Sequence, residues 1–245
     1  MLIPSELIGR LRTAKRVAVL TGAGMSAESG IPTFREAQTG LWAKYDPTEL
    51  ATPHAFLKNP RLVWEWYEWR RHLIQNAHPN SGHIALSQME SLFSSFITIT
   101  QNVDGLHQRA GTDKIIELHG SIARTKCSVE GLVVEHWTET GAVPPPCPHC
   151  GSPLRPDVVW FGEGLPLNAL ADANDAVQGA DVFFSIGTSA LVQPAASLPF
   201  GAINAGALLV EINPERTVLT GHADYTIQGP AGVTLPAIVN LFRAS

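Results

Sequence analysis

Apolar residues recur along this chain in two rhythms. Short strand-like runs cover 17–20, 95–100, 115–118, 181–186, 208–212 and 225–228, the first of them an apolar run that reads as a strand buried on both faces. Between them the apolar positions return every three or four residues. Leu7, Ile8 and Leu11 predict a short amphipathic helix over 4–14. A turn and short helix are expected over 50–59. Leu62, Trp66, Trp69 and Leu73 predict a stronger helix over 61–75, with Tyr67, Arg70 and Arg71 on its other face. Pro79-Asn80-Ser81 breaks the chain and caps a helix over 83–93, and further helices are expected near 168–178 and 235–242. Strands alternating with helices predict an α/β fold, an open parallel sheet with helices on both faces.

The strand ends carry the chemistry. The first strand stops at Thr21-Gly22-Ala23-Gly24, and Ser26, Ala27 and Ser29 follow, residues suited to opening a helix whose free N–H groups face a phosphate. Gly22-x-Gly24 followed by Ala27 meets the G-x-G-x-x-A form of a dinucleotide loop, and a tight turn would use the same glycines. The acidic residue that the dinucleotide pattern places about 20 positions on is missing, since Gly40 to Pro47 does not read as a strand end. After a Gly30-Ile-Pro hinge come Phe34 and Arg35, an aromatic face and a guanidinium on a loop. Later strands end at Gln101-Asn102-Val103-Asp104, His119-Gly120, Gly187-Thr188-Ser189 and Asn213-Pro-Glu215. In a parallel sheet these ends converge on one crevice, where ligands bind.

Composition narrows the picture. Net charge is −5 with no basic block, which argues against nucleic acid as the main partner. The N-terminal residues show no signal-peptide pattern and no apolar run reaches membrane length, so a cytoplasmic protein without a membrane partner is expected. Residues 123–156 differ from the rest: they hold all three cysteines and a cluster of prolines. Cys147-Pro-His-Cys150 is a C-x-x-C knuckle, and Cys127 lies 20 residues before it. Paired knuckles at this separation form zinc ribbons. Glu130 stands where the first knuckle's second Cys would be, and His136 is a substitute ligand. The expectation is a small inserted zinc-ribbon-like module with a structural zinc, the alternative being a site that has lost its metal.

Taken together, Gly22-Ala-Gly24-Met-Ser26, Gly30-Ile-Pro-Thr-Phe34-Arg35, Gln101-Asn102-Val-Asp104, His119-Gly120, Gly187-Thr-Ser189 and the Cys module resemble the sirtuins, NAD-dependent protein deacylases, and among them the bacterial CobB type. The likeness spans about 17–231, with the motifs in the family's order. Two departures stand out, Val103 for the usual Ile and the missing fourth Cys. The resemblance implies a Rossmann-like NAD-binding unit (about 1–35, 95–122 and 157–245), an inserted helical segment (about 36–94) and the small Cys module (about 123–156). It implies NAD as a consumed co-substrate, acylated protein lysines as partners, and nicotinamide and O-acyl-ADP-ribose as products. His119 would be the general base on the ribose, an imidazole suited to accept a proton near neutral pH. Asn102 and Gln101 would address the ribose, Asp104 the nicotinamide amide, and Phe34 the reactive sugar. Arg35, Ser26 and Thr188 would serve the phosphates, Asn213 and Glu215 the adenosine side, and Gly22, Ala23, Gly24, Ala27, Gly187, Ser189 and Ala231 would complete the cofactor-binding set. Val159, Phe161, Gly162 and Glu163 would pair the substrate peptide as an added strand.

Tyr67 and Arg70 are three apart on a predicted helix and share a face. A phenol and a guanidinium at one point suit a carboxylate. The pair resembles the one marking the succinyl- and malonyl-removing sirtuins, which implies desuccinylase activity beside deacetylation. An ADP-ribosyltransferase, an NAD glycohydrolase and a non-catalytic NAD or acyl-lysine binder are the rival readings.

Overall fold

A computed structural model of the chain describes residues 3–32 and 45–244. Phe34 and Arg35 lie outside the described residues. Six parallel strands form the main sheet: β1 (Arg16–Thr21), β2 (Ser95–Thr100), β3 (Ile115–Glu117), β6 (Val182–Ile186), β7 (Leu208–Asn213) and β8 (Tyr225–Gln228). They lie in the order β3-β2-β1-β6-β7-β8. The strand order reverses between β1 and β6, so a crevice opens above their carboxyl ends. A separate antiparallel pair, β4 (Gly120–Cys127) and β5 (Leu154–Val158), carries the cysteine segment.

Each strand of the sheet centre is apolar on both sides. In β1, Val17 and Val19 pack with α1 (Ser5–Thr13), α5 (Ser81–Glu90) and α9 (Ala231–Arg243). Ala18 and Leu20 face α7 (Leu167–Gly179) and α8 (Leu198–Asn204) on the opposite side. Burying each such Val, Leu or Ile side chain stabilises by roughly 1.5–3 kcal/mol, which is why the strands read as runs rather than alternations.

Three expectations are corrected. Among the described residues no α-helix opens at the Gly22 loop; residues Ala23–Met25 and Ala27–Ser29 form two 3₁₀ turns. The amide of Gly24 bonds the Gly187 carbonyl (2.8 Å) instead of a carbonyl within a helix, and left-handed Gly30 ends the second turn. The helix α4 (Pro60–Asn76) forms where predicted, capped by the Asn59 side chain with Pro60 in its first turn. Its buried face is Val63, Trp66, Tyr67, Arg70 and Ile74, while Leu73 is exposed, so the expected polar face points inward. The last helix starts at Ala231, earlier than expected, and contains Pro236. That proline cannot bond the Gly232 carbonyl four residues back, and the Ser81 hydroxyl of α5 donates to that carbonyl. The remaining helices are α2 (Pro47–Leu50), α3 (Pro53–Lys58) and α6 (Leu106–Arg109).

Candidate active site

The two glycine loops at the switch point interlock. A Cβ on Gly22 or Gly24 would sit 2.8–2.9 Å from Gly187 and Thr188 backbone atoms, and one on Gly187 (φ +58°) would lie 2.4 Å from the Met25 nitrogen. All three glycines are therefore demanded by loop packing alone. Beyond them, Ala190 adopts a positive φ of 53°, an uncommon conformation for a residue with a Cβ. The loops are cross-tied: the Gln101 amide donates to the Thr188 hydroxyl (3.0 Å) and Asn213 donates to the Thr188 carbonyl (3.0 Å). Ser189 is half-buried beside them and Glu215 is exposed. Ala231 is buried at the first turn of α9, whose Gly232 amide donates to the Glu28 carboxylate (2.6 Å), an anion at a helix N-terminus.

Beneath the crevice lies a polar cluster. Ser26 is buried, and its hydroxyl donates to Asp104 Oδ2 (2.7 Å). Asn102 Nδ2 bonds the Gly22 carbonyl (3.0 Å) and Ser26 Oγ (3.2 Å). Ser26 was expected at a phosphate; here its proton is committed to Asp104, and Asn102 keeps only its amide oxygen for a ligand. Burial raises the Asp104 carboxyl above its ordinary range, against the bonds from the Leu106 amide and Ser26.

Two histidines complete this cluster, and the sequence reading passed over both. His83 Nδ1 accepts the Asn80 amide in a capping box, leaving Nε2–H toward Ser26 Oγ (3.4 Å). His107 Nε2 is 2.9 Å from the Thr21 hydroxyl, which donates to Thr100 Oγ1. Burial pushes His83 down to about 4 and His107 down to about 3, so both are neutral near pH 7. His83's place directly after a helix cap was the available signal.

His119 follows β3. Its Nδ1–H donates to the Gln101 carbonyl (2.9 Å), since a carbonyl can only accept, and this leaves the lone pair on Nε2. Burial lowers its pKa below 6.5, partly offset by that hydrogen bond. The result is a neutral imidazole with an oriented basic nitrogen. Gly120 beside it has φ +75°, and a Cβ there would lie 2.2 Å from the Asp157 carbonyl. Its glycine is thus required by β5, not by room for a ligand. The His119 carbonyl accepts the Val159 amide (2.9 Å), which joins the base to the segment expected to hold substrate.

That segment is a turn rather than a strand beyond Val158. The amides of Val159, Trp160 and Phe161 are engaged with His119, Glu163 and Ala51. Phe161 and Gly162 are exposed. The Glu163 carboxylate is turned inward, gripped by Arg155 (2.6 and 2.9 Å) and the Trp160 amide (2.8 Å). Tyr67 and Arg70 are both buried nearby. Burial raises the Tyr67 pKa to about 12, and burial lowers that of Arg70 while Tyr67 and Asp104 oppose the shift. The Arg70 guanidinium stacks 5.1 Å over Trp66.

In the small module, ligand atoms of Cys127, Glu130, Cys147 and Cys150 all lie within 4.8 Å of one another. Cys127 and Cys150 sulfurs are 3.4 Å apart, and Cys147 Sγ is 3.9 Å from the Glu130 carboxylate. A tetrahedral ion with bonds of about 2.3 Å spaces its sulfurs by roughly 3.8 Å, so three thiolates and a carboxylate fit zinc. Trp64 of α4, Val134 and Leu154 pack around Cys127 and Cys147.

The Sir2 family pattern matches residues 22–194, which hold the glycine loops, Asn102, Asp104, His119 and the cysteine segment. The chain belongs to the Sir2 family. A relative from Aquifex aeolicus (strain VF5), named NAD-dependent protein deacylase, is 52% identical over 228 residues, covering 93% of this chain and 95% of its own. Among solved structures, a Sir2 homologue–NAD complex superposes with a TM-score of 0.92 at 46% identity, covering 99% of this chain and 95% of that one. A Sir2 protein with deacetylated p53 peptide and 3′-O-acetyl ADP-ribose has a TM-score of 0.85 at 31% identity, covering 96% of each chain. The parallel sheet and cysteine module are thus those of the Sir2 fold. Among the described residues no helix is long and apolar enough to cross a membrane.

Proposed function

We propose that this chain removes acyl groups from protein lysines at the expense of NAD, acting on acetyl-lysine and on acyl chains ending in a carboxylate. The observation that carries the reading is His119, a buried neutral imidazole whose Nδ1–H is tied to Gln101 and whose Nε2 is left basic, placed where the strand ends meet. The acyl-lysine oxygen attacks the ribose carbon that bears nicotinamide, and nicotinamide leaves with the bonding electrons. His119 Nε2 takes the proton of a ribose hydroxyl, which then captures the acyl carbon. With one water consumed, the products are free lysine, nicotinamide and O-acyl-ADP-ribose. The 3′-O-acetyl ADP-ribose held by the related Sir2 protein supports this course.

Phe34 shields the sugar, Arg35 and the glycine loops hold the phosphates, and Asn213, Glu215 and Ala231 line the adenosine side. Gln101, Asn102 and Asp104 position the ribose and the nicotinamide amide. Val159, Phe161 and Gly162 offer the substrate peptide a backbone edge, while Glu163 acts through Arg155. Tyr67 and Arg70 receive an acyl carboxylate. Cys127, Cys147, Cys150 and Glu130 hold a zinc that fastens the module to α4. The compartment is the cytoplasm.

The test is mass spectrometry of matched acetyl-lysine and succinyl-lysine peptides incubated with and without NAD. Loss of both acyl groups only with NAD is expected. Cleavage of NAD while both peptides stay acylated would move the assignment to a glycohydrolase or ADP-ribosyltransferase.

A further inference from the structure

We propose that Trp160 is a positioning residue for acyl selectivity: its indole N–H sets the direction in which the Tyr67 hydroxyl donates. The inference rests on the carboxylate-binding role assigned above to Tyr67 and Arg70. Trp160 Nε1 donates to Tyr67 Oη at 3.0 Å across a buried contact. An indole N–H can only donate, so the tyrosine oxygen accepts here and its own proton must point elsewhere. No acceptor for that proton occurs among the described residues. A phenol fixed as a donor, one helical turn from a guanidinium, suits an acceptor-only carboxylate and has no matching partner in an acetyl methyl group. Burial keeps the phenol protonated through the working pH range, with a pKa of about 12.

The indole is itself clamped. Arg155 lies 3.2 Å over its ring centroid, Phe56 packs at 5.2 Å, and Tyr67 at 6.4 Å. Arg155 is in turn held by both oxygens of Glu163 and by the Val158 carbonyl. An unbroken line of contacts therefore runs from Glu163, through Arg155 and Trp160, to Tyr67. The segment expected to seat the peptide and the helix expected to sort the acyl chain share one rigid indole.

Trp160→Phe keeps an aromatic ring but removes the N–H together with the five-membered ring, so it is read only as a ratio between substrates and between backgrounds. The readout is the ratio of kcat/KM for succinyl-lysine over acetyl-lysine peptide, which cancels any general loss of activity. The ratio is expected to fall about tenfold, the size of one buried hydrogen bond. In a Tyr67→Phe background the same change should leave the ratio within about twofold, because the hydroxyl it orients is gone. An equal drop in both backgrounds, or no drop in either, overturns the inference while leaving the carboxylate reading standing. A wild-type enzyme that cleaves only acetyl-lysine overturns both. If Trp160→Phe does not fold, ¹⁵N-tryptophan labelling of the wild-type chain decides. The indole resonance that Tyr67→Phe displaces should move on adding succinyl-lysine peptide and stay in place with acetyl-lysine peptide. An equal response to the two peptides contradicts the proposal.

Discussion

At the scale of single residues, environment decides chemistry more than residue type does. Three of the histidines are perturbed in the same direction by burial, yet only His119 presents a free basic nitrogen to the crevice. Its lowered pKa predicts that the acid limb of kcat/KM lies below pH 6.5 and disappears in a His119→Ala variant, which should lose at least a hundredfold in acyl transfer (about 10²–10⁴ for a general base). A pH–rate profile checks both. His83 and His107 have a different consequence. Folded, they stay neutral down to about pH 4 and about pH 3, whereas unfolded they take up protons near pH 6.5. Their contribution is thus complete above pH 6.5 and is lost as pH falls toward those values. At pH 5 the loss is about 2 kcal/mol for each, visible as a lower denaturation midpoint. For Arg70, replacement by Met should depress succinyl-lysine turnover far more than acetyl-lysine turnover, measured on paired peptides. Equal effects would remove its selective role.

At the scale of elements, much was legible because local pattern and tertiary demand agree. The run Ser95–Thr100 is β-branched and apolar, and it forms β2 with those bounds. The face of α4 was misread for a physical reason. A polarity pattern puts Arg70 and Tyr67 outside, but Arg70 is buried over Trp66, and the Tyr67 hydroxyl meets Trp160 from 93 residues away. Such partners are invisible to any periodicity within one helix. The Gly22 loop misled similarly: its glycines fit a strand–turn–helix pattern, while the chain after them is held in 3₁₀ turns by Gly187. A lone residue such as His107 gave no signal because its partners, Thr21 and His83, come from other elements. The proline in α9 gives an element-scale prediction. Ser81→Ala leaves the buried Gly232 carbonyl without its donor and should destabilise the fold by about 1–3 kcal/mol, read from denaturant unfolding.

For the whole molecule, one switch point gathers the site and one small module braces it. The strand order places the β1, β2, β3 and β6 ends around a single crevice, and α4 links that crevice to the cysteines by burying Tyr67 and Arg70 toward one and Trp64 toward the other. Metal analysis should find one zinc per chain, and chelation should lower the melting temperature of the whole protein rather than only abolish activity. Glu130→Ala should weaken zinc retention, and full retention would show that another group completes the site. The central claim is that NAD is consumed in step with acyl transfer. Quantifying nicotinamide and freed lysine in the same reaction tests it most directly. One nicotinamide for each lysine freed, with O-acyl-ADP-ribose as the third product, is the predicted result. Nicotinamide release without lysine deacylation, or deacylation without NAD, would contradict the account.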